Sequence, residues 1–565
     1  VVDPAPASLR CAIGPRLKTS GIPHPHRSPE VIAVPKSSSP GPSSPGSSSP
    51  GSSSAPRSAS IPLAGGSTGG GGRIGVGGRI GNRWWALVVL ALTQLVVVLD
   101  STIVNIALPQ AQQELGLTDG QRQWVVTAYA LAFGALLLLG GRIADYWGRK
   151  RTYLVGMLGF GAASAFGGLA QNGAELILAR GLQGVFAALL APAALALLTV
   201  TFPGGRERNT AFAVFGTVAG AGAAVGLVLG GVLTEFADWR WCLLVNVFFV
   251  AIGLIGGMLL VTESKAEGDN RYDVLGAVTV TLGLGSLVYG FSLAEGGWGR
   301  LDTIGFIALG VGLLALFVVI ERRVAQPLLP LRIVTDRVRG GAFLVQAIVG
   351  SVMIGAMLYL AFHLQIVLGL DPLPAGLATL PMTIVIMVVA PIATKLLPVI
   401  GPRPLMIGGP LIAAAGLVYL SRITADGDYL VQVLPALIVL GVGMAMLFVP
   451  LQNLALSGVA PHDAGAASAT ANSAMQIGGS IGLSVFTAIY AAAVAGFDAS
   501  GAATGTATDT TGAAGSTQLA ALTSGYSAAF IAAAVGLVIA AVIAVVLIRG
   551  PKSQLLPGGD TVPVH

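Results

Sequence analysis

From Trp84 to Leu547 the chain is a succession of apolar stretches separated by short segments that carry most of its charge. Each stretch is about 20 residues long, and about 20 residues of α-helix cross the roughly 30 Å hydrocarbon core of a bilayer. Lipid offers no partner for a bare peptide group, so stretches of this kind must cross as helices. Fourteen spans are read: 84–108, 123–141, 152–170, 174–200, 210–233, 241–262, 273–293, 303–320, 340–362, 375–397, 404–421, 430–450, 466–494 and 525–547. The span 466–494 has the weakest hydropathy, because it contains Asn472 and Gln476. Only 10% of the residues are charged and 54% are hydrophobic, with a mean hydropathy of +0.80. A soluble domain carries about 25% charged residues, so this chain cannot cover a water-facing surface.

Loop charge tests the count. With the N-terminus on the cytoplasmic side, the inner loops hold seventeen basic residues and the outer loops four (Arg122, Arg240, Arg300 and Arg422). Cytoplasmic loops are enriched in Lys and Arg, and one missed span would invert every later loop. Fourteen helices with both termini cytoplasmic satisfy the pattern. The net charge of +6 is scattered over these loops rather than gathered in a patch, which argues against a nucleic-acid partner. Two cysteines, Cys11 and Cys242, and five unclustered histidines suggest no disulfide framework, metal or cofactor site.

Residues 1–82 are rich in Ser, Pro and Gly and too polar to offset their chain entropy by burial. Two readings stand: a disordered cytoplasmic tail, or sequence upstream of a true start near Val76, since no Met precedes Met157. Residues 549–565 read as a second cytoplasmic tail.

The first span contains Leu99-Asp100-Ser101-Thr102-Ile103-Val104-Asn105-Ile106-Ala107-Leu108-Pro109. A carboxylate inside a span faces a cavity or a partner, because lipid would penalise its charge. Asp100 sits roughly 13 Å below the outer end of the helix, and such a site suits a proton carrier. The alternative is a structural carboxylate paired inside the bundle. Arg180, in Leu178-Ala179-Arg180-Gly181-Leu182-Gln183-Gly184, reads as the sole basic residue within a span and falls at a similar depth. The two can pair, each lowering the other's burial cost, so that protonation of Asp100 would release Arg180. The competing reading has Arg180 reaching to the outer interface. Between the second and third spans, Gly141 and Gly148 permit a tight turn. There Asp145, set among Arg142, Arg149 and Lys150, can make charge-assisted contacts that hold one face closed.

The spacing Gly141-x-x-x-Asp145-x-x-Gly148-Arg149-Lys150 resembles the loop signature of the major facilitator superfamily, with Tyr146 where a basic residue is usual. The 99–109 stretch, Arg180 with Gln183 and Gly184, and Trp239-Arg240-Trp241 with Val245-Asn246-Val247 are similar to motifs of its fourteen-helix drug:proton antiporters, the EmrB/QacA type. Gly222-x-x-x-Gly226-Leu227-x-x-Gly230-Gly231 is similar to the antiporter motif of the fifth helix, with Leu227 in place of Pro. Gln365-Ile366-Val367-Leu368-Gly369 and Asn472-x-x-x-Gln476-x-Gly478-Gly479 fit as well. The loop from Lys395 through Gly401 to Arg403 looks like a degraded copy of the 141–151 loop.

The resemblance implies an all-α integral membrane protein of the major facilitator fold. Six-helix bundles would cover 84–262 and 338–548, with two extra central helices at 273–320. It implies proton-coupled export of small amphipathic or cationic compounds across a bacterial plasma membrane by alternating access, with no cofactor beyond the proton gradient and no obligate protein partner. Asp100 and Arg180 would couple protons, and Gly141, Asp145, Gly148, Arg149 and Lys150 would gate. Gly222, Gly226, Gly230 and Gly231 would pack helices. Thr102, Asn105, Gln183, Gln365, Asn472 and Gln476 are the cavity candidates, few enough to suit greasy cargo. Glu235, Asp238 and Glu295 read as interfacial charges, and His363 and His462 as polar fillers. Rival readings are a carrier of one specific metabolite on the same fold and a non-transporting receptor. A membrane-embedded enzyme would need a nucleophile–base pair, metal cluster or phosphate loop, and the sequence presents none.

Overall fold

The computed structural model describes residues 76–202, 205–265, 273–294, 297–324, 326–459, 464–503 and 511–550. The expected tail thus lies mostly outside the described residues, although 76–82, placed in it above, already belong to the first helix. The helices are α1 Val76–Leu115, α2 Asp119–Trp147, α3 Arg149–Gly168, α4 Gly173–Thr201, α5 Gly205–Phe236, α6 Trp241–Leu260, α7 Val274–Leu293 and α8 Leu301–Glu321. After a short α9, Leu331–Thr335, come α10 Arg337–Phe362, α11 Pro372–Ile400, α12 Pro402–Leu420, α13 Leu434–Leu456, α14 Ala464–Ala503 and α15 Thr511–Leu547. Without α9, fourteen long helices remain, one at each expected span. Thirteen are long and apolar enough to cross a membrane. The exception is α3, whose hydropathy is diluted by five glycines and a basic first turn.

Local chemistry sets the breaks. Thr118 caps α2 through a capping box with Gln121. Gly148 separates α2 from α3 at φ 128°, and Gly401 separates α11 from α12 at φ 82°, backbone angles that a side chain disfavours. These two turns occupy the positions where the sequence suggested one loop repeated.

Helices α1–α6 pack among themselves, as do α10–α15, while α7 and α8 pair and lean through α7 on α2 and α14. The two bundles meet along α2 against α14 and α5 against α11. Small residues permit close approach. A Cβ on Gly350 of α10 would strike the Met475 carbonyl of α14, and one on Gly478 of α14 would strike the Ala347 carbonyl of α10. Gly350→Leu is therefore expected to destabilise the second bundle by about 1–3 kcal/mol through overpacking, read as a lowered unfolding midpoint in detergent.

The face bearing the 142–151 loop is here called the basic face. Near the opposite face α5 and α11 touch, with Gly231 against Leu373 and Gly376 against the Leu227 carbonyl. Towards the basic face both helices are exposed, at Val214 of α5 and at Met387, Val388 and Ile392 of α11. The close contact between α5 and α11 thus lies near the opposite face.

Candidate functional site

Asp100 of α1 and Arg180 of α4 are both fully buried, and Arg180 Nη1 lies 2.6 Å from Asp100 Oδ2. The interface-seeking reading of Arg180 does not hold, because the first bundle supplies it with partners instead. Its Nε donates to the Val125 carbonyl at 3.2 Å, its Nη1 to Gln183 Oε1 at 2.8 Å, and its guanidinium lies 4.5 Å from the Tyr129 ring centroid. The other carboxylate oxygen, Asp100 Oδ1, accepts from Gln183 Nε2 at 2.9 Å and from Asn246 Nδ2 of α6 at 2.7 Å. Ser164 of α3 closes the set, its Oγ 2.6 Å from Gln183 Nε2. Side chains of α4 and α6 thus converge on the carboxylate of α1, and α2 and α3 complete the network around it. Ser164, Asn246 and Tyr129 were not among the candidates. Their signal was present, since Ser164 and Asn246 are polar residues within apolar spans.

Most of the cavity candidates have contacts within the protein. Gln183 belongs to the buried ion-pair network. The Thr102 hydroxyl bonds to the Val98 and Leu99 carbonyls of its own helix and packs where a Cβ on Gly226 would fall. Gln365 lies in a π-helical turn, His363–Val367, and donates to the Ile106 carbonyl at 3.1 Å, joining the two bundles. Asn472 is exposed and bonds to its own helix at Ser468, and Gln476 packs where a Cβ on Gly134 of α2 would fall. Asn105 is half-buried with its Oδ1 unpartnered.

The loop of the basic face is held from one side. Asp145 pairs with Arg149 at 2.8 Å, and Arg142 donates to the Tyr146 hydroxyl and to the Pro327 carbonyl. Glu263, beyond α6, accepts from the Lys150 and Arg151 backbone N–H groups at the start of α3, a favourable place for an anion. Glycine suits position 148 there because of its φ of 128°, and a Cβ would also press on the Glu263 carboxylate. Of the antiporter-like glycines of α5, Gly222, Gly226 and Gly230 face α1, while Gly231 faces α11.

At the opposite face Arg122 corrects two expectations. It is not a loop charge, and Arg180 is not the sole basic residue inside a span. The capping box starts α2 at Asp119, which carries Arg122 into the helix, where it is buried. It lies 2.9 Å from Asp119, with its guanidinium 4.5 Å from the Phe362 ring and 5.6 Å from that of Tyr490, both of the second bundle. Gln123 Nε2 donates to Ser484 Oγ at 2.6 Å, and Glu235 accepts from the Leu373 N–H at 3.0 Å, both across the bundles. Asp238 accepts from the Arg240 N–H, and Arg240 also bonds to Glu114. His363 is buried with both ring nitrogens unpartnered, and Cys242 is buried and free. Glu295 and His462 lie outside the described residues.

Such an arrangement, two bundles of long apolar helices with an ion pair buried inside the first, is that of a multi-pass membrane protein. Comparison with known proteins is specific. The sequence pattern of the Major Facilitator Superfamily matches residues 90–483. A puromycin resistance protein of Streptomyces alboniger is 49% identical over 403 residues, 71% of this chain and 80% of that one. A tetracenomycin C resistance and export protein of Streptomyces glaucescens is 34% identical, covering 71% of this chain and 74% of that one. Among solved structures, a bacterial homologue of the human lysosomal transporter Spinster, in an inward-facing and occupied conformation, superposes with a TM-score of 0.56 at 19% identity. That superposition covers 83% of this chain and 97% of the other. This chain belongs to the Major Facilitator Superfamily.

Proposed function

We propose that the protein exports small amphipathic compounds, antibiotics among them, across a bacterial plasma membrane in exchange for protons. The Asp100–Arg180 pair carries this reading. A carboxylate held by a guanidinium and two amides in an apolar bundle has two states of different local charge, and a proton decides between them. When Asp100 is charged it holds Arg180. When it is protonated, Arg180 keeps only the Gln183 and Val125 oxygens and the Tyr129 ring, and α4 is freer to move against α1. The relatives' names, puromycin resistance and tetracenomycin C export, support this class of cargo.

The excess of basic residues supports a cytoplasmic basic face with both termini on that side, and on that reading the conformation described is the inward-facing one. Substrate would enter between the bundles, meeting Asn105 on α1, and leave after rocking opens the α5–α11 and α2–α14 contacts. The 141–150 loop, with Asp145 and Arg149, would close the cytoplasmic face in the other state. The proton gradient supplies the energy, and the scheme requires no cofactor, partner chain or covalent chemistry.

Inverted membrane vesicles test it. With an acidic lumen they should accumulate a cationic dye or puromycin, and a protonophore should abolish that accumulation. Absence of gradient-dependent movement for any cationic or neutral compound tried would remove the exporter reading and leave the fold intact.

A further inference from the structure

At the opposite face the first bundle places a charge against an aromatic cluster of the second. Tyr359 and Phe362 of α10, Tyr490 of α14 and Tyr526 of α15 are all buried. The Tyr490 ring is stacked on those of Tyr359 and Tyr526, with centroids 5.4 and 5.5 Å away, and Tyr359 lies 5.9 Å from Tyr526. The π-helical turn His363–Val367 begins directly after Phe362, and the His363 ring stands edge-on to Tyr526 at 6.3 Å. Single π turns recur at functional sites.

Ring faces attract cations, most strongly out of water, and a cation is already present. The Arg122 guanidinium reaches in from α2 and lies over the Phe362 and Tyr490 rings. Arg122 is buried, and its Nε has no partner. Its ion pair with Asp119, at 2.9 Å, and its bond to Gln112 Oε1, at 3.4 Å, stay within the first bundle. What the second bundle offers it is ring faces. Polar atoms of the cluster are unspent as well: the Tyr526 hydroxyl and both His363 ring nitrogens are buried without a partner. Buried polar groups are normally bonded. A phenol oxygen and the free nitrogen of a neutral imidazole accept from N–H donors, which a guanidinium or ammonium group carries.

We propose that this aromatic cluster is a binding site for an organic cation of the guanidinium or ammonium type, and that Arg122 fills it only while the bundles touch at this face. Arg122 rides on α2, and the rings ride on α10, α14 and α15. Parting α2 from α14 withdraws the guanidinium together with Asp119 and leaves the rings to a cation of the same kind. When the face closes again, Arg122 competes with whatever is bound. The site stands on its own geometry; that its occupant is a cationic cargo on its way out rests on the export reading.

Chemical rescue by methylguanidinium, read as the unfolding midpoint of the full chain in detergent, tests the site without transport, so the site and the export reading can fail separately. A ligand that binds only the folded state raises that midpoint. Methylguanidinium should raise it saturably in Arg122→Ala, binding roughly tenfold or more tightly than to wild type, whose own guanidinium fills the site. Arg122→Ala/Tyr490→Leu should show no such rise, because one of the two ring faces under the cation is gone. Should Arg122→Ala fail to fold, Arg122→Gln, which keeps the stem and a donor for Asp119, should show the same gain over wild type. No saturable rise in either Arg122 variant overturns the proposal. So does an equal rise in wild type or in the double variant, which would place the ion elsewhere on the protein.

Discussion

Arg180→Met is expected to abolish gradient-driven export and to lower stability by about 3–5 kcal/mol, the usual consequence of removing one partner of a buried ion pair. Without the guanidinium, Asp100 keeps only the Gln183 and Asn246 amides, and its charge is left in an apolar bundle. Asp100→Asn acts in mirror image, leaving a buried guanidinium on the Gln183 and Val125 oxygens and the Tyr129 ring. The double variant Asp100→Asn/Arg180→Met removes both charges and should recover most of the lost stability while recovering none of the export. That contrast separates a coupling pair from a structural one. Arg180→Lys should remain inactive too, because a single ammonium cannot reproduce the separate contacts of Nε to Val125 and Nη1 to Asp100 and Gln183. Unfolding midpoints in detergent and gradient-driven uptake in inverted vesicles give the two readouts. Export by the double variant would remove Asp100 and Arg180 from the proton path.

How much of this was legible in the sequence depends on the physics of each feature. The helix count was legible because lipid demands long apolar runs and the loop charges check their parity. The Asp100–Arg180 pairing was legible because ionisable residues inside spans are few and need partners. Their depth followed from helix rise alone. The turns at Gly148 and Gly401 were legible as glycines between basic residues. Arg122 was not, since four residues from a loop it reads as a loop charge. What buries it are Phe362 and Tyr490, which reach it only when the second bundle docks. Gln183 and Gln365 show the same limit. An amide in a helix announces that it needs a partner without saying whether the partner is substrate, a carboxylate or the carbonyl of Ile106.

Gly231→Leu is expected to shift the chain away from the conformation described here, because the added side chain has no room where the bundles close. A Cβ at Gly231 would meet the backbone of Pro372 and Leu373 at the start of α11. Neighbouring contacts leave little slack, since Gly376 lies against the Leu227 carbonyl and Glu235 is bonded to the Leu373 N–H. Overpacking of this kind costs about 1–3 kcal/mol. Because the strain exists only while α5 and α11 touch, it acts on the equilibrium between states, a shift of about 5- to 150-fold. Gly222→Leu is the control. Its side chain would press on Leu95 and Val98 of α1, within one bundle, so it should lower stability and leave the equilibrium alone. Spin labels on the exposed Gln171 and Asp426, at the opposite face of the first and second bundles, should move apart in Gly231→Leu and not in Gly222→Leu. A cysteine placed at Val214, exposed on the basic half of α5, should react more slowly with a membrane-impermeant maleimide in Gly231→Leu alone, with Cys11 replaced and Cys242 buried. Equal label distances and equal rates in both variants would mean that the α5–α11 contact does not open during the cycle. The gate at that face would then rest on α2 and α14, through Gln123, Ser484 and the buried Arg122.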